Sequence, residues 1–242
     1  MLVAKMNTLR EVTSVAIFTA LVFVATMVIR ITIPATGGYF NVGDSMIYVA
    51  ALLYGPLVGG LAGGIGAALV DALGYAIFVP GTFIIKLAEG TIVGYIGYKI
   101  RPKAGTITLW KTASLSFGVV LGASTYYVGA SYMGVFGNSF LDQLFWAVVA
   151  LFLGIFIVAI GLKSEPKISW QTIAIILGGM EMVLGYFLYE SLLAVLIPGA
   201  GIIAIGEIPL NIGQMLVGMT IALPIVKAVR RALPFEPRLA ET

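Results

Sequence analysis

Charged and amide side chains interrupt stretches of this sequence that are otherwise apolar. Carboxylates, an ammonium group and amides can bind a small molecule, carry a proton or a cation, or act as general acids and bases. Ionisable side chains are costly inside a membrane, and those that occur there usually mark a binding site or a transport pathway. The residues concerned are Asp44, Asp71, Lys86, Glu89, Glu181, Glu190, Glu207, Asn211 and Gln214.

Three of the apolar segments present their polar residues as a stripe along one helical face. Positions three, four and seven residues apart share a face of an α-helix. Each stripe therefore predicts a polar helix surface, and together they predict one pocket between the helices. Glu181 precedes Glu190 by nine residues, roughly half a turn out of phase, and is expected to point elsewhere. The stripes are Glu207/Asn211/Gln214, Tyr186/Glu190 and Lys86/Glu89.

Some of these residues also have purely structural explanations. Lys86 could form a buried ion pair with Glu89 or Glu190 that only orients the helices. Asp44 suits the N-cap of a helix, and Asp71 could lie at a helix end at the membrane interface.

Several classes of chemistry are excluded or disfavoured by composition. The sequence contains no Cys and no His, which removes disulfides, thiolate nucleophiles, imidazole bases and the usual zinc and haem ligands. No Walker A pattern is present, so we expect no ATP binding by that route. The net charge of +3 is too small to indicate a nucleic-acid partner. Glu89 and Glu190 could do acid–base work, but without a nucleophile or cofactor motif we predict no enzyme, no cofactor and no metal.

The surrounding composition is that of a membrane protein. Of the 242 residues, 60% are hydrophobic and 10% are charged, with a mean hydropathy of +1.06, whereas soluble domains carry roughly 25% charged residues. A spanning helix needs about 20 apolar residues, and the first apolar run is longer than the ~7–15 residues of a signal-peptide core. Breaks at Pro, Gly and charges predict eight segments: 12–33, 44–54, 56–74, 82–98, 109–132, 141–162, 169–196 and 203–226.

Basic residues predict the orientation of these segments, because Lys and Arg gather in cytoplasmic connections. With eight segments, the N-terminus, the 99–111 and 163–167 connections and the C-terminal tail carry Lys or Arg, whereas the intervening connections carry none. We therefore predict a multi-pass cell-membrane protein with both termini cytoplasmic and a short second segment that turns at Gly55-Pro56. Most of the polar residues then lie in the outer half of the membrane.

Small residues recur at four-residue spacing in the third and fourth segments. Such ridges let helix backbones approach closely in lipid, and ordinary helix packing explains them. The ridges are Gly55/Gly59/Gly63/Ala67, Gly60/Gly64 and Gly90/Gly94.

An ordered set of motifs resembles the substrate-binding S components of energy-coupling factor (ECF) vitamin transporters, most closely the riboflavin-named branch. A Gly185-Tyr-Phe stretch and Val217-Gly218 are similar to the last two helices of that branch, and Ala16-Ile-Phe-Thr-Ala20 resembles its Ala-x-x-x-Ala docking signature. The other motifs are Tyr39-Phe-Asn-Val-Gly-Asp44, Ala50-Ala-Leu-Leu-Tyr-Gly-Pro-Leu-Val-Gly-Gly60, Pro80-Gly-Thr-Phe-Ile-Ile-Lys-Leu-Ala-Glu-Gly90 and Glu207-Ile-Pro-Leu-Asn211.

The resemblance implies an all-α polytopic membrane helix bundle with a six-span core. It implies a protein that binds a vitamin-like molecule from outside and pairs with a transmembrane coupling subunit and two cytoplasmic ATPase subunits, as part of an ABC importer. The face of Ala16 and Ala20 would contact the coupling subunit.

One departure from the family pattern concerns domain organisation. We predict a single membrane domain over 1–242, in which 10–100 and 170–230 form the S-component-like core. Residues 105–163 are predicted to be an inserted two-helix hairpin, which gives eight segments where the family has six.

The lead hypothesis is a binding subunit that captures a vitamin or cofactor precursor, with riboflavin as the first guess. The 35–43 loop would act as a lid, or is an ordinary connector, and Lys86 could meet a carboxylate or phosphate of the ligand. The alternative is a stand-alone secondary transporter or channel that uses the outer carboxylates as proton or cation sites. The predicted substrate-binding residues are Tyr39, Asn41, Lys86, Glu89, Tyr186, Glu190, Glu207, Asn211 and Gln214.

Overall fold

The computed structural model forms two compact units along the chain. It describes residues 2–33, 38–100, 115–131 without 117, 121 and 128, then 138–163, 166–197 and 204–232. The first unit is Met1–Arg101 together with Gln171–Thr242, and the second is Pro102–Trp170. The boundaries of the second unit lie close to those of the predicted hairpin, while its status as an insertion stays a prediction.

Nearly all of the described part of the first unit is helical. Its helices are α1 (Leu2–Val28), α2 (Gly43–Tyr54), α3 (Pro56–Ala72) and α4 (Val79–Gly94), which is preceded by a 3₁₀ turn at Ala76–Phe78 and continues as a π-helical turn at Tyr95–Lys99. Two long helices complete it, α6 (Pro166–Leu196), whose first turn belongs to the second unit, and α7 (Ala204–Ala232).

Five helical stretches in the described residues are long and apolar enough to cross a membrane. They are Leu9–Val28, Ala76–Lys99, Ser139–Ala159, Ile168–Leu196 and Ala204–Ala232, and α2 and α3 are shorter apolar helices. This confirms the predicted all-α membrane bundle, while the placement of the termini stays a prediction.

The end of the first predicted segment is wrong. Helix α1 ends at Val28, and Arg30–Ile33 forms strand β1, which pairs antiparallel with strand β2 at Gly38–Asn41. The β-branched run Ile31-Thr-Ile33 suits a strand, and its partner strand was predicted only as a loop. The hairpin register places Thr32 opposite Tyr39.

The predicted break between α2 and α3 is confirmed at Gly55. This glycine has φ of +91°, a conformation that L side chains rarely adopt. Pro56 follows at the start of α3, where a missing backbone N–H costs nothing. Both helices are thus shorter than a full span.

The glycine ridges bring α3 and α4 into backbone contact. A Cβ added at Gly60 or Gly64 would lie 2.9 Å from the carbonyl oxygen of Leu87 or Phe83, and a Cβ at Gly90 would overlap the Gly59 carbonyl. This close approach fixes the height of α4 against α3. It thereby sets the positions of the polar residues that α4 carries.

The second unit contains helix α5 (Ser139–Lys163) and further helical residues within 115–131. The ends of the predicted 109–132 segment lie outside the described residues. Gly118 faces Gly154 so closely that a Cβ on Gly118 would lie 2.8 Å from the Gly154 carbonyl oxygen. Here too, small residues allow two helices to approach.

Candidate functional site

A small polar cavity lies in the first unit, among β2, α3, the 3₁₀ turn and helices α4, α6 and α7. Its volume is about 40 Å³, enough for only a few water molecules. The residues that line it are Gly38, Tyr39, Asn41, Asp71, Tyr75, Phe78, Thr82, Tyr186, Glu190, Glu207, Asn211 and Gln214.

Most of the predicted site residues meet at this cavity. The stripes of α6 and α7 both face it, which is the convergence predicted from their spacing. Glu181 is not among the lining residues, in agreement with its phase on α6. The two residues predicted on α4, Lys86 and Glu89, do not line the cavity. Those that do are Tyr39, Asn41, Tyr186, Glu190, Glu207, Asn211 and Gln214.

Lys86 and Glu89 instead belong to a buried ionic cluster. Lys86 Nζ lies 2.5 Å from Asp44 Oδ1 and 3.0 Å from Glu89 Oε2, and the Tyr48 hydroxyl donates to Glu89 Oε1 at 2.7 Å. Lys86 is 2% exposed and Glu89 is fully buried. The single ammonium is therefore shared between two carboxylates of the protein and does not line the cavity. The expectation that Lys86 meets an anionic ligand group stays a prediction. Its partners are Asp44 and Glu89, and Glu190 is not one of them.

The structure also shows that Asp44 is not the N-cap of α2. The N-cap of α2 is Val42, which provides no side-chain cap, and Asp44 lies in the first turn. Its carboxylate is buried and receives the Lys86 ammonium as well as a hydrogen bond of 2.9 Å from Gln214 Nε2. Asp44 therefore joins α2, α4 and α7, which local spacing could not predict.

Gln214 connects this cluster to strand β2. Its Oε1 accepts hydrogen bonds from the backbone N of Asn41 at 3.0 Å and from Asn41 Nδ2 at 2.8 Å. Asn41 Oδ1 accepts a hydrogen bond from Gly43 N at 2.8 Å, which orders the turn into α2. Both ends of the Gln214 amide are thus committed, one to the hairpin and one to Asp44.

An aromatic wall closes one side of the cavity. The Tyr39 hydroxyl donates to Asp71 Oδ1 at 2.5 Å, and the rings of Tyr39 and Tyr75 lie 4.9 Å apart. Burial and the neighbouring Asp71 carboxylate raise the pKa of Tyr39 above its ordinary value, so its hydroxyl stays a hydrogen-bond donor. Arg30 stacks over both rings, 5.7 Å and 5.6 Å from their centroids.

Two contributors to this wall were missed by sequence reasoning. Arg30 fell inside the predicted first span and was not counted among its charges. For Asp71, an interfacial helix-end position and a role in the site were equally consistent with the sequence, and it lines the cavity. Four further lining residues were not predicted. The connection after α3, with its closely spaced aromatics, was the available signal for two of them. The four are Gly38, Tyr75, Phe78 and Thr82.

Helix α6 contributes Tyr186 and Glu190 to the opposite wall. The Tyr186 hydroxyl donates to Thr82 Oγ1 at 3.1 Å, and its ring stands 5.6 Å from Lys86 Nζ. Glu190 is 4% exposed, and its Oε2 has no hydrogen-bond partner among the described residues. The site therefore offers aromatic faces, amides and a carboxylate acceptor, and no group of three potential metal ligands occurs among the described residues.

Comparison with known proteins assigns the chain to a family. The family model for the S component of the ECF-type riboflavin transporter matches residues 6–151. This chain belongs to that family. It is also 46% identical over 108 residues to a protein of Pyrococcus woesei described as an uncharacterized protein in gap 3′ region, a match that covers 45% of this chain and 67% of that protein.

The extent of the family match bears on the site. It covers α1–α4 and the hairpin, and it runs through most of 105–163. It ends before α6 and α7, so the resemblance predicted for 170–230 stays a prediction. The family is a transporter family and not an enzyme family, which agrees with the non-enzymatic function expected from the sequence.

Proposed function

We propose that this protein is the membrane-embedded binding subunit of an ECF-type importer and that it captures a vitamin or vitamin-like cofactor precursor in the cavity under the β1–β2 hairpin. The observation that carries the proposal is the convergence of four helices and strand β2 on one cavity with polar walls, in a chain of this family. Riboflavin is the first ligand to test, because the family is named for it.

The walls suit a small heteroaromatic ring. Tyr39, Tyr75 and Phe78 provide ring faces, and the Asn211 amide offers both donors and acceptors. A drug-sized ligand occupies a pocket of about 300–1,000 Å³, far more than the present 40 Å³. Binding therefore requires the hairpin or the cavity side chains to move outward before they close over the ligand.

The strand β2 is the lid in this proposal, in place of the predicted loop. It is tied down by Asn41 to Gln214 and by Tyr39 to Asp71. On the helix side, both contacts are made by side chains, those of Gln214 and Asp71. The contacts can therefore break and re-form without disturbing the helix backbones. A lid that closes on a largely preformed pocket limits the ordering cost of binding.

The exposed face of α1 is proposed to dock on the coupling subunit, which works with two cytoplasmic ATPases. Ala16 and Ala20 are exposed, whereas Ser14 and Phe18 are buried against the first unit. A face of small residues permits close helix contact in lipid. The orientation with cytoplasmic termini belongs to the same proposal.

The test is a binding and transport assay. Purified protein in detergent is titrated with a vitamin panel that includes riboflavin, and uptake is measured in vesicles with and without the energising module. We expect tight binding by the isolated subunit and uptake only with the module and ATP. Asn211→Ala should weaken binding about 10-fold or more, while Thr220→Ala on the same helix, which donates only to Leu216 O, should not.

The same assay distinguishes the importer subunit from a stand-alone secondary transporter. Uptake by the subunit alone, driven by an ion gradient, would overturn the proposal in favour of that alternative. Absence of binding to every vitamin of the panel, together with absence of ATP-dependent uptake, would overturn both.

A further inference from the structure

The turn between α2 and α3 lies at the opposite end of the first unit from the cavity, which the other ends of α3, α4 and α7 line. Two helices flank this turn closely. A Cβ on Gly94 of α4 would overlap the backbone of Pro56. The ring of Phe18 on α1 lies 5.3 Å from that of Tyr54, the last residue of α2. The heights of α1 and α4 against the turn are therefore fixed.

The helices around the turn extend beyond it. Helix α7 packs on α2 where Gly218 meets Tyr48, and it continues 14 residues past Gly218, whereas α2 ends six residues past Tyr48. The π-helical turn carries α4 five residues past Gly94, and α1 passes Phe18 by eight residues before it reaches Arg10. At 1.5 Å per residue, each helix projects at least about 7 Å past the turn. The turn is therefore the floor of a recess.

Basic side chains occupy the projecting helix ends. Arg230 Nη2 donates to the Leu52 carbonyl oxygen at 2.5 Å, and the Arg10 guanidinium stands 6.0 Å from the centroid of the Tyr54 ring. These contacts hold two guanidinium groups at the recess, and neither a carbonyl group nor an aromatic ring cancels their charge. The basic residues at the three helix ends are Arg10, Lys99, Lys227, Arg230 and Arg231.

Carboxylates are scarce at this end of the first unit. Lys99, Arg230 and Arg231 form no ion pair with the part of the chain that the structure describes. Glu11 is the one described carboxylate at this end, since the others of the first unit belong to the cavity, the Lys86 cluster or the middle of α6. The adjoining residues 101–114 add three cations and no carboxylate, and 233–242 add one cation and two carboxylates. The recess therefore carries a net positive charge.

Exposed apolar side chains adjoin these cations. Leu9, Leu57 and Tyr95 are each more than half exposed. Leu9, Lys99 and Ala232 also end three of the stretches that can cross a membrane, so this recess lies where the hydrocarbon core gives way to lipid headgroups. Basic pockets between spanning helices at this level bind anionic headgroups. A soluble anion would use the cations alone, whereas a phospholipid uses both the cations and the apolar flank.

We propose that the recess at Gly55-Pro56 binds the phosphate of an anionic membrane phospholipid, whose acyl chains lie along the exposed apolar residues beside Leu57. Arg230 spends one of its five N–H donors on Leu52, and the others are available for phosphate oxygens, which a guanidinium binds in a bidentate manner. Lys99 and Arg231 add charge at the rim. This site is distinct from the cavity and does not depend on the cavity's ligand.

Native mass spectrometry of the purified full-length protein tests the proposal. The protein is released from mixed micelles that contain equal amounts of dioleoylphosphatidylglycerol and dioleoylphosphatidylcholine, which share their acyl chains and differ in net charge. A basic residue near anionic lipid contributes about fivefold in affinity. We therefore expect a preference for the anionic lipid of about 10-fold or more.

A double variant locates the preference. Lys99→Gln combined with Arg231→Gln removes two rim charges whose side chains make no contact that would be lost from the fold. It should reduce the preference about 10-fold or more, while the Tm in detergent without anionic lipid stays unchanged. Arg30→Gln, which removes one charge at the opposite end of the unit, should keep the preference.

Each other outcome overturns the proposal. Equal retention of the two lipids would show that the recess does not select anionic headgroups, and an undiminished preference in the double variant would place the lipid elsewhere. Displacement of the lipid by an equal concentration of inorganic phosphate would identify a site for soluble anions. If the double variant keeps its lipid preference but no longer assembles with the energising module, the recess is a protein-docking surface.

Discussion

Gln214 and Asn41 are joined by two hydrogen bonds that span 173 positions of the sequence, from the Asn41 backbone N at 3.0 Å and from its Nδ2 at 2.8 Å. Through them, helix α7 holds strand β2 over the cavity. The other end of the Gln214 amide donates to Asp44, so the position of the hairpin is tied to the buried ionic cluster.

Loss of this connection should release the hairpin. Gln214→Met keeps the volume of the side chain but removes all three hydrogen bonds and leaves Asp44 Oδ2 without its amide donor. We expect ligand affinity to fall about 10-fold or more, mainly through faster dissociation. Stopped-flow measurement of the dissociation rate checks this, with Thr220→Val as the control on the same helix. An unchanged dissociation rate would show that β2 is not the lid.

Removal of the Lys86 charge should destabilise the helix core. Lys86→Met leaves Asp44 and Glu89 buried without their cation, a change that typically costs about 3–5 kcal/mol. The expected result is a large fall in the Tm in detergent, or loss of monodisperse protein. Lys99→Met, at an exposed position, serves as the control.

A compensating variant distinguishes this structural role from ligand binding. When Lys86→Met is combined with Asp44→Asn and Glu89→Gln, the cluster becomes neutral, and much of the lost stability should return. If stability returns while ligand affinity does not, at least one of these three residues contacts the ligand and the role of the cluster is not only structural.

Close packing of α3 on α4 gives a third prediction. Gly90→Ala places a methyl group on the Gly59 carbonyl, and overpacking of this kind costs about 1–3 kcal/mol. Its Tm should therefore fall. Gly74→Ala adds the same methyl group where nothing lies within 4 Å, and the Tm of that variant should not change by comparison.

The Tyr39 hydroxyl gives a prediction about pH. Its pKa is raised by burial and by the Asp71 carboxylate, and an unperturbed Tyr titrates only near 10. The folded state thus favours the neutral phenol, and stability from this group is lost only as the pH rises above about 10. Tyr39→Phe should weaken ligand binding by a factor that stays constant between about pH 5 and pH 9, measured by titration at each pH. A factor that changes across this range would indicate that another group governs the contact.

Several features of this protein could be read from the sequence because they depend on local physics. Apolar runs of spanning length identified the membrane helices, since the cost of exposing them to water or of burying charges in lipid acts on each segment separately. The stripes Tyr186/Glu190 and Glu207/Asn211/Gln214 face one cavity because the 3.6-residue period fixes which side chains share a helix face. Gly55 and Pro56 marked the break between α2 and α3 for an equally local reason, the backbone conformations that they permit.

Other features were decided only by the tertiary structure. The predicted pairing of Lys86 with Glu89 is observed, but its shortest contact is to Asp44, 42 positions away, because the glycine contacts between α3 and α4 set the height of α4. The strand Arg30–Ile33 formed at the end of a predicted span because its partner strand supplies backbone hydrogen bonds in place of those that a longer α1 would have made. Which polar groups of the cavity wall pair with one another also depended on distant partners. Periodicity determined the face of each helix, and packing determined what that face meets.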